Sequence, residues 1–254
     1  MKCNFTYDHY REILNTFHSI GYKTVSFGSF KPGKPLQLLL RHDIDFLTPN
    51  LIAVTDIEKA LGFHSINHFL LTSETYNLNS KTCRLLLDKV KENNHYLGLH
   101  VDPIAISPYA PVQQFQNSFR RLLNLAREML GEIDSYSFHR PEINGTYKDL
   151  LPESLPFPVP SYSYDNKYSI DIIYRSDSKR EWRNGCICQE IRKLEGKSIQ
   201  LLIHPSWWDE EEIDRSQSLQ KYIDSVIQLT QAYLATNLSF YPKNKQPIED
   251  FFIR

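Results

Sequence analysis

The residues able to do chemistry in this chain stand where apolar runs end. Leu38-Leu39-Leu40 gives way to Arg41-His42-Asp43-Ile44-Asp45, and three later runs end in His100-Val101-Asp102, in His139-Arg140 and in His204. Side chains alternate across a strand, so Asp43 and Asp45 share a face, close enough for each to perturb the other's ionisation. Two carboxylates so placed can hold a metal, share a proton or divide those roles. A single histidine at a strand end satisfies local backbone groups equally well. In a parallel barrel, however, all such ends lie on one rim, so residues scattered from 41 to 204 converge on one pocket. Carboxylates and histidines together suit zinc or another divalent transition metal with an open position.

The segments between these ends must hold them in place. Tyr10, Ile13, Leu14 and Phe17 recur at helical spacing from Asp8, read as the cap, to a stop at Gly21. Thr48-Pro49 opens a second helix toward Leu61, and Ser80 caps a third carrying Leu85, Leu86 and Val90. Further helices are expected from Val112 to Leu130 and from about Ser216 to Leu234. Strands are expected at Leu36 to Ile44, Phe63 to Leu71, Tyr96 to His100, Ser135 to His139 and Ser198 to His204. Alternating strands and helices predict an α/β fold with parallel strands, in one domain spanning 1–254. From Pro141 to Gly196 the pattern loosens into prolines and then Tyr162, Tyr164, Tyr168 and Tyr174, which reads as irregular strands and long loops.

Composition removes several classes of function. With 29 basic and 30 acidic residues the formal charge is -1, so no basic field addresses nucleic acid. The N-terminus lacks the apolar core of a signal peptide and no run is long enough to cross a bilayer, which leads to the expectation of a soluble cytoplasmic protein. Four cysteines are too few for a disulfide scaffold. Cys186 and Cys188 face the same way if extended, yet no second Cys or His pair lies at zinc-ribbon spacing, so both are read as ordinary half-buried residues. Oligomeric state has no signature here.

Four short motifs, taken in order, resemble the polysaccharide deacetylases of carbohydrate esterase family 4, the NodB-homology fold. They are Leu40-Arg41-His42-Asp43-Ile44-Asp45, then Asn94-His95-Tyr96-Leu97-Gly98-Leu99-His100-Val101-Asp102, then Ser137-Phe138-His139-Arg140-Pro141, then His204-Pro205-Ser206-Trp207-Trp208. The resemblance spans about 36–209 and is to a bacterial branch that reads LRHDVD, GHEIGLHFD, SFHRP and HPEWW. It implies a distorted (β/α) barrel of about seven parallel strands with flanking helices. It also implies metal-dependent removal of an acetyl group from an N-acetylated sugar, the metal being zinc or a similar divalent ion.

Carried onto these positions, the resemblance makes Asp43 the general base and Asp45 a metal ligand. The physics agrees, because a carboxylate on a cation is held ionised while its neighbour stays able to take a proton. The family's two ligating histidines stand four apart; His100 is the first, and Ile104 occupies the place of the second. Asp102, which shares a face with His100 if the strand continues, is the leading substitute and His139 the other; of the adjacent His139 and Arg140 only one can point into the mouth, and the resemblance gives that place to Arg140. His64-Ser65-Ile66-Asn67-His68 matches the family string literally but falls in a strand, where residues four apart do not chelate as they do on a helix or turn. The resemblance has Arg140 orient Asp43, with Glu142 and Ile143 replacing Pro and Tyr; the Ile143 backbone N–H could still serve an oxyanion. Asp177 with Glu181-Trp182 loosely echoes the fourth family motif, and a surface loop with one packed Trp reads nearly as well. His204 becomes the general acid, and Trp207, Trp208 and Tyr76 are candidate substrate contacts, the tryptophans serving equally well as packing.

The expected function is therefore hydrolysis of an N-acetyl amide on a sugar or glycan precursor. The alternatives are a carbohydrate-binding barrel that lost metal ligation at Ile104, and an amidohydrolase acting on a small non-sugar amide.

Overall fold

A computed structural model describes residues 3–106, 112–140 and 157–241. The elements run α1 (Tyr7–Ile20), β1 (Lys23–Thr24), β2 (Gln37–Ile44), α2 (Asn50–Ala60), β3 (Ile66–Leu70), α3 (Lys81–Glu92), β4 (Tyr96–Val101), α4 (Pro103–Ile106), α5 (Val112–Leu130) and β5 (Ser135–Phe138). They continue with β6 (Ser161–Tyr162), α6 (Asn166–Ser169), β7 (Ile173–Ser176), β8 (Ile199–Ile203) and α7 (Arg215–Asn237). The sheet order is β6-β5-β4-β3-β2-β8-β7, all pairings are parallel, and β1 adds to the start of β2. The seven strands of that path curl into a half-barrel with helices outside, the distorted α/β barrel expected from sequence.

Burial follows the strand period. Leu38 and Leu40 of β2 pack with Tyr10, Ile13, Leu14 and Phe17 of α1, while Phe69, Leu97, Leu99 and Val101 join Leu86, Leu87 and Phe119 under α3 and α5. The opposite side chains of the same strands face inward, and they are mostly polar: Arg41, His68, His100, Ser135, Ser137 and Gln200 are all buried. At the open side of the curl, rings of Tyr162, Tyr164 and Tyr174 meet at 5.9 and 6.1 Å and link β6 to β7, which gives the tyrosine-rich stretch a structural purpose.

Several element boundaries shift by a residue or more from expectation, and three of the shifts have local reasons. Thr6, not Asp8, caps α1, its side chain accepting from the His9 N–H, and Gly21 ends the helix at φ 96° as expected. The α2 helix starts at Asn50 with Pro49 in the cap position and no side-chain cap. The strand expected from Phe63 starts only at Ile66, because the Ser65 N–H is taken by His95 Nδ1 at 2.9 Å instead of a ladder partner.

Candidate active site

The inward column of β2 begins with an ion pair. Arg41 grips Asp43 with two hydrogen bonds, Nε to Oδ1 at 2.9 Å and Nη2 to Oδ2 at 2.6 Å, both side chains being almost fully buried. Residues two apart on a strand share a face, so sequence spacing alone permits this clasp. Around it, Arg41 also reaches Tyr164 Oη at 3.1 Å, and Ser137 Oγ–H donates to Asp43 Oδ1 at 3.4 Å. His68 places Nδ1 3.3 Å from Asp43 Oδ1 and Nε2 2.8 Å from Ser135 Oγ. Burial works against the Asp43 charge, but Arg41 and the histidines outweigh it and hold the carboxyl well below its ordinary range. Burial pushes the His68 imidazole down to about 4, so the ring is neutral at neutral pH. That ring packs against Gly98, where any Cβ would sit 1.8 Å from His68 Cδ2.

Two residues further along the same face, Asp45 meets two histidines. Asp45 Oδ1 is 3.3 Å from His100 Nε2 and 3.1 Å from His139 Nδ1, and the two ring nitrogens are 3.2 Å apart. Tetrahedral zinc with bonds of about 2.0–2.2 Å separates such ligand atoms by about 3.3 Å, so the triangle fits a divalent ion with a fourth position open. Asp45 Oδ1 is buried with no hydrogen-bond partner of good geometry among the described residues, an orphan that a cation would satisfy. The His100 ring is held in the matching orientation, because its Nδ1 lies 2.7 Å from Ser137 Oγ, which turns Nε2 toward Asp45. Burial opposes the Asp45 charge, but His100, His139 and His204 more than offset it and hold its pKa far below normal.

Across the cavity, His204 is anchored by Asp177. His204 Nδ1 is 2.6 Å from Asp177 Oδ1, and the His204 backbone N–H and the Trp208 indole N–H donate to the same carboxylate at 3.0 and 2.8 Å. His204 Nε2 is thereby directed to the cavity, 3.9 Å from Asp45 Oδ2. Burial alone would lower the His204 pKa, yet the fully buried Asp177 reverses this and raises it to about 9. The cavity that these groups share has a volume of about 500 Å³, within the range of small-molecule sites, and Trp207, Tyr164 and Tyr174 line it.

The remaining expected residues fall elsewhere. Arg140 does not reach Asp43: it sits at φ 50°, so the chain turns as β5 ends, His139 faces Asp45, and Arg140 pairs with Asp102 at 2.8 Å on the cavity rim. The orienting contact expected of Arg140 is made by Arg41. Asp102 is spent on Arg140 and on the Ile104 N–H at 3.0 Å, outside the Asp45 cluster. Trp208 is fully buried against Phe5 and Tyr10, so it offers no face to a substrate, whereas Trp207 lines the cavity. Tyr76 Oη accepts from the Leu70 N–H and donates to the Ile44 carbonyl, both at 2.7 Å, clasping two strand ends outside the cavity. His64 precedes β3 and takes no part. Glu142 and Ile143 lie outside the described residues.

Three contributors escaped sequence reasoning as functional residues. Arg41 could have been found from its spacing to Asp43, and His68 from its inward parity on β3. Asp177 carried only a faint motif echo.

No protein-family model and no curated protein matches the chain. Solved structures do. The Xyl-CE4 domain of a multidomain xylanase from the hindgut metagenome of Trinervitermes trinervoides is similar at 14% identity over 75% of this chain and 82% of that one, with a TM-score of 0.41. The chitin deacetylase of the fungal pathogen Colletotrichum lindemuthianum is similar at 13% identity over 80% and 86%, with a TM-score of 0.44. At such distances the residues of this chain carry the functional reading.

Proposed function

We propose that this protein is a metal-dependent hydrolase that removes an acyl group, acetyl above all, from the amide nitrogen of a sugar or glycan precursor. The observation that carries the reading is the convergence of Asp45, His100 and His139 on one point, 3.1 to 3.3 Å apart, between Asp43 and His204. Zinc held by these three residues would supply Lewis-acid polarisation of a carbonyl and a lowered pKa for water. Asp43, oriented by two hydrogen bonds from Arg41 that also lower its basicity, is the proposed acceptor for the proton of the attacking water. His204, protonated and aimed by Asp177, delivers a proton to the departing sugar nitrogen, which is a poor leaving group as an anion. Trp207 and the tyrosines supply apolar surface for an acetyl methyl or a sugar face.

The carbohydrate-binding alternative rested on the missing second histidine at Ile104. His139 offers the third ligand from the neighbouring strand, so no observation favours that reading. Acetate release from a panel of N-acetylated sugars by zinc-loaded protein tests the proposal. Activity that falls about 10³-fold in Asp43→Asn supports it, in line with the usual contribution of a general base. A zinc-loaded protein inactive across the panel, and indistinguishable from Asp43→Asn, sinks it.

A further inference from the structure

The four residues Cys3, His9, Cys186 and Cys188 come together on the outside of the barrel, away from the Asp45 cluster in sequence and in chemistry. One ligand atom from each lies within 4.8 Å of every other, with Cys3 Sγ 3.4 Å from Cys188 Sγ and His9 Nε2 3.3 Å from Cys186 Sγ. At tetrahedral zinc, bonds of about 2.3 Å to sulfur and 2.0–2.1 Å to nitrogen set sulfur atoms about 3.8 Å apart and sulfur and nitrogen about 3.6 Å apart. The donor set is already gathered on that scale. The two thiols come together without an extended strand: Cys186 caps, and Cys188 lies within, a single 3₁₀ turn at Ile187–Gln189, which lets both join one cluster.

Surrounding groups match those of a metal centre. His9 Nδ1 is 3.1 Å from Glu12 Oε2 one turn along α1, so a carboxylate that accepts from the Nδ1–H leaves the Nε2 lone pair toward the thiols. A carboxylate behind a ligating histidine is the usual way such a ring is oriented. Gln189 Nε2 donates to Cys3 Sγ at 3.1 Å, a contact that stabilises sulfur in its thiolate form. None of the four cysteines is in a disulfide.

We propose that Cys3, His9, Cys186 and Cys188 form a structural zinc site that staples the N-terminal segment to the loop between β7 and β8. The site closes over about 180 residues of sequence, which is why no local spacing announced it. Its consequence reaches the cavity, because that loop also contributes Trp182 to the cavity wall, and Trp182 stacks on Phe5 at 6.2 Å. The inference is independent of the proposed hydrolase activity.

Cobalt substitution separates the two centres. Asp45, His100 and His139 offer no sulfur, so only the cysteine cluster gives a sulfur-to-cobalt charge-transfer band. Full-length protein, reduced, stripped with a chelator and titrated with Co²⁺, should develop that band to saturation at one equivalent in Asp45→Ala, and by two equivalents in wild type, where the Asp45 site also takes cobalt. Zinc should then bleach it. Cys186→Ser and, at the half-buried chain start where folding is least at risk, Cys3→Ser should each weaken the cobalt affinity at least about 100-fold. Absence of the band in wild type, or its survival unchanged in both serine variants, overturns the proposal. So does a thiol titration of unreduced, metal-free protein that finds two of the four thiols consumed, since that assigns a disulfide instead.

Discussion

Two clusters of one carboxylate and two histidines lie on opposite faces of the same sheet. Inside the curl, Asp45 meets His100 and His139, with Asp45 and His139 side chains 20% and 21% exposed. Outside it, Glu58 of α2 meets His42 at 2.8 Å and His95 at 3.6 Å, with every member at 0%. The residue types are the same and the environments are not. Both His95 nitrogens are already engaged, Nδ1 with Ser65 and Nε2 with the Thr55 carbonyl, while His42 Nδ1 faces Asn67 at 3.0 Å and the Tyr10 hydroxyl donates to Glu58. By geometry alone both clusters hold buried atoms without a hydrogen-bond partner among the described residues, Asp45 Oδ1 in the inner one and His42 Nε2 and Glu58 Oε2 in the outer one, but only the inner cluster borders an open cavity. Access to the cavity, with both ring nitrogens and the carboxylate aimed at one point, is what makes the inner cluster a candidate site.

That contrast breaks most sharply at the carboxylates. Asp45→Ala should lose metal from the inner site and at least about 10³-fold in turnover, read by metal analysis and kinetics. Glu58→Ala should do the reverse, costing about 3 kcal/mol in denaturant unfolding because it strands buried partners, with the Asp45-dependent metal retained in the folded fraction. A Glu58→Ala protein as stable as wild type but inactive would invert the assignment of the two clusters.

Acid separates stability from site chemistry. His95 and His68 have pKa values lowered by burial, His68 to about 4, so below about pH 6.5 the unfolded chain takes up protons that the folded chain refuses. Glu58 has a lowered folded pKa despite burial, because His42 and His95 face it, so its contribution is also lost as pH falls. All three signs agree: stability should decline from about pH 6.5 downward, His68 alone contributing on the order of 3 kcal/mol by pH 4. Replacing His68 with Gln should flatten that decline, measured as unfolding free energy against pH.

Packing supplies a smaller test. Gly98→Ala should displace the His68 ring and cost about 1–3 kcal/mol, and His68→Ala in the same chain should recover part of the loss, a coupling that a double-mutant cycle reads directly. Smallest of all, Arg140→Ala removes a half-exposed rim pair with Asp102 and should change stability by less than about 1 kcal/mol. A loss of turnover as large as that of Arg41→Ala would restore Arg140 to the orienting role.

Much of the site was legible because strand parity and parallel topology are properties of sequence. Asp43, Asp45, His100, His139 and His204 all line the one cavity, as their places at strand ends implied. What could not be read depended on contacts without a period. Which of Asp102 and His139 lies against Asp45 depends on a backbone turn at Arg140, and the fate of Trp208 on how the loop after β8 folds against α1. His42 and His68 lie on neighbouring strands with opposite parity, and only the packed helices reveal that one serves the outer network and the other the floor of the site.

The central claim is that Asp45, His100 and His139 hold one divalent ion beside Asp43. Anomalous diffraction at the zinc edge from zinc-soaked crystals tests it most directly. The account predicts a peak about 2.1 Å from Asp45 Oδ1, His100 Nε2 and His139 Nδ1 together, absent from Asp45→Ala. A fully soaked crystal without density at that point, or with the ion moved onto Asp102 and away from His139, would contradict it.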